Sequence, residues 1–199
     1  MNPCQSRVPV WLLCLLLFGG SIGLYWPAQH HEFICYDDPD YVLDNEMVNR
    51  GLTTETVRLA FTQAHAGNWH PLTWLTHALD VEMFGLAPAG HHRTNVFLHA
   101  INAALVLLLL NFLTGALWRS AFVAALFAWH PLHVESVAWI AERKDVLSGC
   151  FGLLTLLTYA RYAGEAKVSG LKSKVWYGVG LGLFALGLMS KSMLVTWPF

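Results

Sequence analysis

Long apolar runs recur along this chain, separated by short polar connections and by one long one. A helix crosses the hydrocarbon core of a bilayer with about 20 apolar residues. Five stretches approach that length: residues 8–26, 95–113, 120–131, 146–162 and 175–189. The second contains a wholly apolar core at 103–110. The third runs into Trp129-His130-Pro131, where the proline removes a backbone donor and breaks the helix near a membrane boundary. The first follows Arg7, as the apolar part of a signal peptide does, but it is long and no small-residue cleavage site follows it. The pattern predicts an all-α membrane protein with about five transmembrane helices.

The connection 27–93 is too patterned to be a tether. Thr53 can cap a helix whose apolar positions are Val57, Ala60, Phe61 and Ala64. Asn68-Trp69-His70-Pro71 opens a second helix, with Pro71 suited to its first turn and Gly85 to its end. Leu72, Leu75, Leu79 and Met83 form its apolar stripe, and Trp69 and Trp74 suit headgroup depth. Both read as amphipathic helices lying along the outer membrane surface. The alternative is a small soluble domain, which at about 65 residues folds alone only marginally. The chain thus divides into a first span (1–26), an outer loop (27–93), and the remaining spans with the start of a further apolar segment (94–199). It closes on Met193-Leu194-Val195-Thr196-Trp197-Pro198-Phe199, an apolar stretch that predicts a piece of a longer membrane protein.

Composition agrees with lipid as the solvent: 55% of residues are hydrophobic, 13% are charged, and the mean hydropathy is +0.45. A net charge of −1 leaves no basic field to recruit nucleic acid. The distribution of charge sets the sidedness. With the N-terminus inside, Arg7, Arg119, Arg161, Lys167, Lys172 and Lys174 are cytoplasmic, as the positive-inside rule requires. Of the 13 acids only Glu165 joins them, and all 10 histidines fall outside. The long loop is then periplasmic or lumenal, and a bacterial inner membrane is the expected host. Cys4, Cys14, Cys35 and Cys150 match no zinc or redox spacing, and only Cys35 is expected to be exposed outside, so no disulfide framework is expected.

Three polar groupings stand out on the outer side. Asp37-Asp38 sits in Tyr36-Asp37-Asp38-Pro39-Asp40-Tyr41; adjacent carboxylates repel, so one can hold a raised pKa and act as a base, whereas the plain alternative is a solvated turn. His130-Pro131-Leu132-His133-Val134-Glu135 brings imidazoles and a carboxylate to the break in the third span. Metal ligation there, aided by His91-His92, competes with a polar lining of a wet cavity, and the latter is favoured. Glu142-Arg143-Lys144-Asp145 opens the fourth span, so a helix N-terminus and two cations make an anion site at headgroup depth, with interfacial snorkelling as the alternative. Lys191, between apolar runs, is a third outer cation. No glycine pattern for a soluble nucleotide is present.

The strings YDDPDYVLDN (36–45), NWHPLTWLTHALD (68–80), GHHRTNVFLHAINA (90–103), HPLHVESVAWIAERKDVLS (130–148) and SKSMLVTWPF (190–199) resemble the N-terminal membrane part of the transmembrane and tetratricopeptide-repeat-containing family, in a bacterial and truncated version. That family is similar to the protein O-mannosyltransferases of the GT-C class. The resemblance implies a partial GT-C-type bundle. It also implies a polyprenyl-phosphate-linked, mannose-like sugar donor and a protein hydroxyl acceptor on the outer face. It implies catalytic roles for Asp37, Asp38 and Asp145. Donor phosphate would be held by Arg143, Lys144 and Lys191. His70, His91, His92, His130, His133 and Glu135 are further substrate-binding candidates. No cofactor is implied; a requirement for a divalent metal is left open. Ser192 stands where the family usually has proline, the later spans are absent, and the chain contains no 34-residue repeat. A non-enzymatic membrane scaffold, a transporter using His99, His130 and Glu135, and a non-functional gene fragment are the competing readings.

Overall fold

Extended backbone at Pro9 leads into α1 (Val10–Tyr25), a helix apolar on every side. The computed structural model describes residues 8–165 and 171–197; Cys4, Arg7 and Lys167, with the last two residues of the closing apolar stretch, lie outside the described residues. The long loop contributes α2 (Glu46–Asn49), α3 (Thr54–Thr62) and α4 (Pro71–Phe84). The rest is α5 (Pro88–Thr114), α6 (Leu117–Trp129), α7 (Val134–Ala138), α8 (Arg143–Glu165) and α9 (Leu171–Ser190). The fold is all-α.

Local chemistry explains the loop helices. The Thr53 hydroxyl accepts from Thr56 N at 3.0 Å and starts α3. Pro71 occupies the first turn of α4, and Gly85 ends it with φ at 63°, a conformation that a side chain disfavours. Asn45 caps α2 by accepting from the Met47 and Val48 amides.

Three helical segments among the described residues are long and apolar enough to cross a membrane: Val10–His30, Pro88–Thr114 and Ile140–Gly164. A fourth is formed if Leu117–Trp129 and Pro131–Ala138 count as one span bent by 50°. The chain is therefore a multi-pass membrane protein. The break falls at Pro131, where the sequence placed it, because the proline has no amide to continue the ladder. The expected fifth span, α9, is 20 residues long but does not join this set. Lys172 and Lys174 in its first turn and the glycines that follow dilute its apolar character.

Two helices start earlier than hydropathy suggests. Helix α5 begins at Pro88 rather than near residue 95, and α8 begins at Arg143 rather than 146. Their polar first turns face protein: His91, His92, Asn95 and Arg143 are all buried. Farther in, α1, α5 and α6 share a core of Leu17, Ala103, Leu107, Ala124 and Ala128. Helices α8 and α9 approach closely at Gly180 and Gly187, both buried in α9; a Cβ on Gly180 would meet the Thr158 hydroxyl at 3.2 Å. Small residues at such seams let backbones pack where lipid offers no hydrophobic drive.

Helix α4 departs most from expectation. Leu79 and Met83 face outward, 41% and 61% exposed. The opposite face, turned onto α5, α8 and α9, is polar: Thr73, His77 and Asp80 are buried there. Trp74, expected at headgroup depth, is fully buried against Tyr41, with ring centroids 4.5 Å apart, whereas Trp69 is exposed. On α3, Ala60 is buried but Val57 and Phe61 are exposed, so its stripe does not face the core.

Candidate functional site

The polar face of α4 meets the start of α8 through one buried ion pair. The Arg143 guanidinium lies 2.6 Å from the Asp80 carboxylate. It also donates to Asn95 Oδ1 at 2.8 Å, Thr76 O at 3.1 Å and His91 O at 2.8 Å. Asp80 accepts from the Thr94 hydroxyl at 2.8 Å. All three nitrogens of the Arg143 guanidinium are thus engaged by protein. His77 stacks on His91 at 6.0 Å, and burial, then the Arg143 charge, holds the His77 imidazole well below its ordinary pKa.

Above this knot the loop and the helix ends converge. Asp38 is fully buried. Its carboxylate accepts from Ile34 N at 2.8 Å and from Ala141 N at 2.9 Å, which ties the acidic turn to the short turn Ile140–Glu142 ahead of α8. Burial pushes its carboxyl above the ordinary range, and the two amide bonds pull the other way. Asp37 beside it is only half-buried. The Lys144 ammonium sits over the Tyr41 ring, 4.6 Å from its centre, and 2.7 Å from Glu142. Burial raises the Tyr41 phenol; the Lys144 charge opposes this, and the Asp37 charge adds to it. Lys191, one residue past α9, pairs with Asp145, and Glu142 lies 3.7 Å away from it. Ser136 on α7 donates to Asp145 at 3.1 Å. Helix α9 is held in place by α4, whose Thr73 hydroxyl donates to Ser190 O at 2.9 Å.

His70 caps this arrangement at the start of α4. It is buried, and its Nδ1 has no hydrogen-bond partner among the described residues. Burial, then the charges of Lys144 and Lys191, lower its pKa to about 4, against a smaller opposing effect of Asp145. The imidazole is therefore neutral near pH 7.

The structure thus brings together Asp37, Asp38, Asp145, Lys144, Lys191 and His70. It does not bring in the others. His91 lies buried beneath α4, and His92 is buried edge-on to His31, with ring centroids 6.1 Å apart. His130 and Glu135 are exposed, and His133 packs on Phe127 and His99, at 4.6 and 5.6 Å between ring centroids. Among the described residues no group of three or more His, Cys, Asp or Glu is arranged to hold a metal ion. Tyr41, Asp80, Asn95 and Glu142 had not been singled out from the sequence. A signal existed for Asp80: Thr73, His77 and Asp80 recur at helical spacing, a second stripe opposite the leucines.

A helical multi-pass membrane protein with carboxylates, lysines and a neutral histidine gathered at one end of its bundle is the class that fold and site define. Comparison narrows it. The chain is 32% identical over 192 residues to "Protein O-mannosyl-transferase Tmtc2" of Drosophila melanogaster, covering 92% of this chain and 20% of that protein. It is 31% identical to the human protein of the same description, TMTC2, and 29% identical to human TMTC4, of which it covers 29%. The chain spans between about a fifth and a third of the length of these relatives. It is therefore distantly homologous to this eukaryotic family, and the match carries no specifically bacterial mark. No protein-family model matches the chain, and no solved structure does.

Proposed function

We propose that the chain forms the donor-side part of a GT-C-type membrane glycosyltransferase. It moves a mannose-like sugar from a polyprenyl-phosphate carrier to a protein hydroxyl on the outer membrane face. The supporting observation is the tie from Asp38 to Ala141 N, which sets the acidic turn beside the lysines at the ends of α8 and α9. Inverting transfer needs a base for the acceptor hydroxyl and cations for the departing lipid phosphate. In this reading Asp37 is the base, because Asp38 is occupied with two amides. Lys144 and Lys191 hold the phosphate, and Asp145 orients Lys191. Arg143 is a strut, since each of its three nitrogens already has a protein partner. His70, neutral, offers Nδ1 to a sugar or phosphate oxygen. The N-terminus is cytoplasmic, residues 27–93 face outside, and α9 completes a fifth span.

A chimera tests this. This chain replaces the matching segment of human TMTC2 in liposomes with radiolabelled polyprenyl-phosphate mannose and an acceptor protein. Transfer is expected, with loss of at least a hundredfold for Asp37→Asn, an effect typical of removing a general base. Transfer unchanged by Asp37→Asn refutes the assignment.

A further inference from the structure

The two lysines assigned to the lipid phosphate share one carboxylate. Glu142 presents one oxygen to Lys144 at 2.7 Å and the other to Lys191 at 3.7 Å. Two oxygens on one centre, each facing an ammonium, is the chelate that the two unshared oxygens of a phosphate ester make. The three side chains are only 10–20% exposed, so their charges act on one another with little screening. With Asp145 included, two cations face two anions, and the cluster is neutral as it stands.

The two carboxylates are not equivalent. Asp145 is held by Ser136 as well as by Lys191. Glu142, among the described residues, is held by the lysines alone. It lies in the short turn that leads into α8, and a change of its side-chain rotamer moves the carboxylate away with the backbone in place. The buried Nδ1 of His70, unpartnered and within the field of the same lysines, is an independent sign that a polar group is received here.

We infer that Glu142 occupies the phosphate subsite in the unloaded protein and is displaced by the lipid phosphate, acting as a built-in competitor that keeps Lys144 and Lys191 apart from stray anions. This rests on the lysines being the phosphate holders. If the bridged form is held by about nine-tenths of molecules, abolishing it raises apparent affinity about tenfold.

The test is binding of farnesyl phosphate to the chain in nanodiscs, with inorganic phosphate as competitor to separate a lipid headgroup from a free anion. Glu142→Gln keeps shape and removes charge; it is expected to bind about tenfold tighter than the parent, and Glu142→Ala likewise. Lys144→Gln and Lys191→Gln should each weaken binding. A parent that binds farnesyl phosphate while Glu142→Gln binds equally or less tightly overturns the inference and leaves the lysine assignment standing. Absence of binding to parent and Glu142→Gln alike overturns both. Displacement by inorganic phosphate at similar concentration assigns the site to a free anion and overturns the lipid form of the inference.

Discussion

Replacing Asp80 with asparagine tests the buried ion pair that fastens α4 to the start of α8. The Asp80 and Arg143 side chains are 3% and 0% exposed, so neither charge has water to fall back on. Breaking a buried pair from one side costs about 3–5 kcal/mol, because the remaining charge is left uncompensated. Asn95 Oδ1 and the carbonyls of Thr76 and His91 still receive the guanidinium, which places Asp80→Asn at the lower end, about 3 kcal/mol. That is roughly a hundredfold in the equilibrium for lifting α4. The loss should be local first: proteolysis within residues 50–85 should accelerate before global unfolding in detergent moves. A double replacement, Asp80→Leu with Arg143→Met, removes both charges and should cost less than either single change. A shift below about 1 kcal/mol for Asp80→Asn, or a double variant as unstable as the sum of the singles, refutes the view of this pair as the fastener.

Asp37→Asn and Asp38→Asn should separate by readout. The first abolishes transfer with an unchanged thermal midpoint, whereas the second lowers the midpoint by about 1–3 kcal/mol equivalent, since it weakens two buried acceptor bonds; equal behaviour in both assays sinks the division of labour. Acid should destabilise the region around α4. His70 and His77 have folded pKa values below the ordinary 6.5, so the unfolded chain takes up protons first, and stability present above 6.5 is lost as pH falls, for His70 toward about 4. Asp38, shifted upward, works the other way, losing stability as pH rises just above the ordinary carboxylate range. The histidine effect of His70 is on the order of 1–2 kcal/mol at pH 5, and His70→Gln should flatten that part of a midpoint-against-pH curve. The orientation of α4 is checked with brominated lipids and single-tryptophan variants, which should quench a tryptophan placed at Met83 and spare Trp74; the reverse pattern refutes the orientation of the helix.

Apolar runs revealed the spans because lipid demands length and apolarity together, and α1 and α5 answer both. The loop helices were readable from Thr53, Pro71 and Gly85, whose roles are fixed by backbone geometry within a few residues. Which face of α4 turns inward was harder. Its leucine stripe suggested only one contact surface, while Thr73, His77 and Asp80 form a second whose partner, Arg143, is far along the chain. Arg143 read as a free outer cation for the same reason, as the sequence does not show that Asp80 comes to meet it. Asp37 and Asp38 were indistinguishable as a pair, and the partner that singles out Asp38 is the Ala141 amide, which leaves no mark in residue type.

The bond from Ala141 N to Asp38 joins positions 103 residues apart, and that from Thr73 to Ser190 joins positions 117 apart. On a ribosome adding about 5–20 residues per second, the acidic turn emerges roughly 5–20 seconds before its clasp exists. During that interval Asp38 stays hydrated. The cluster therefore closes only once α8 and α9 have both been made, so that a stalled or shortened nascent chain carries it unfinished.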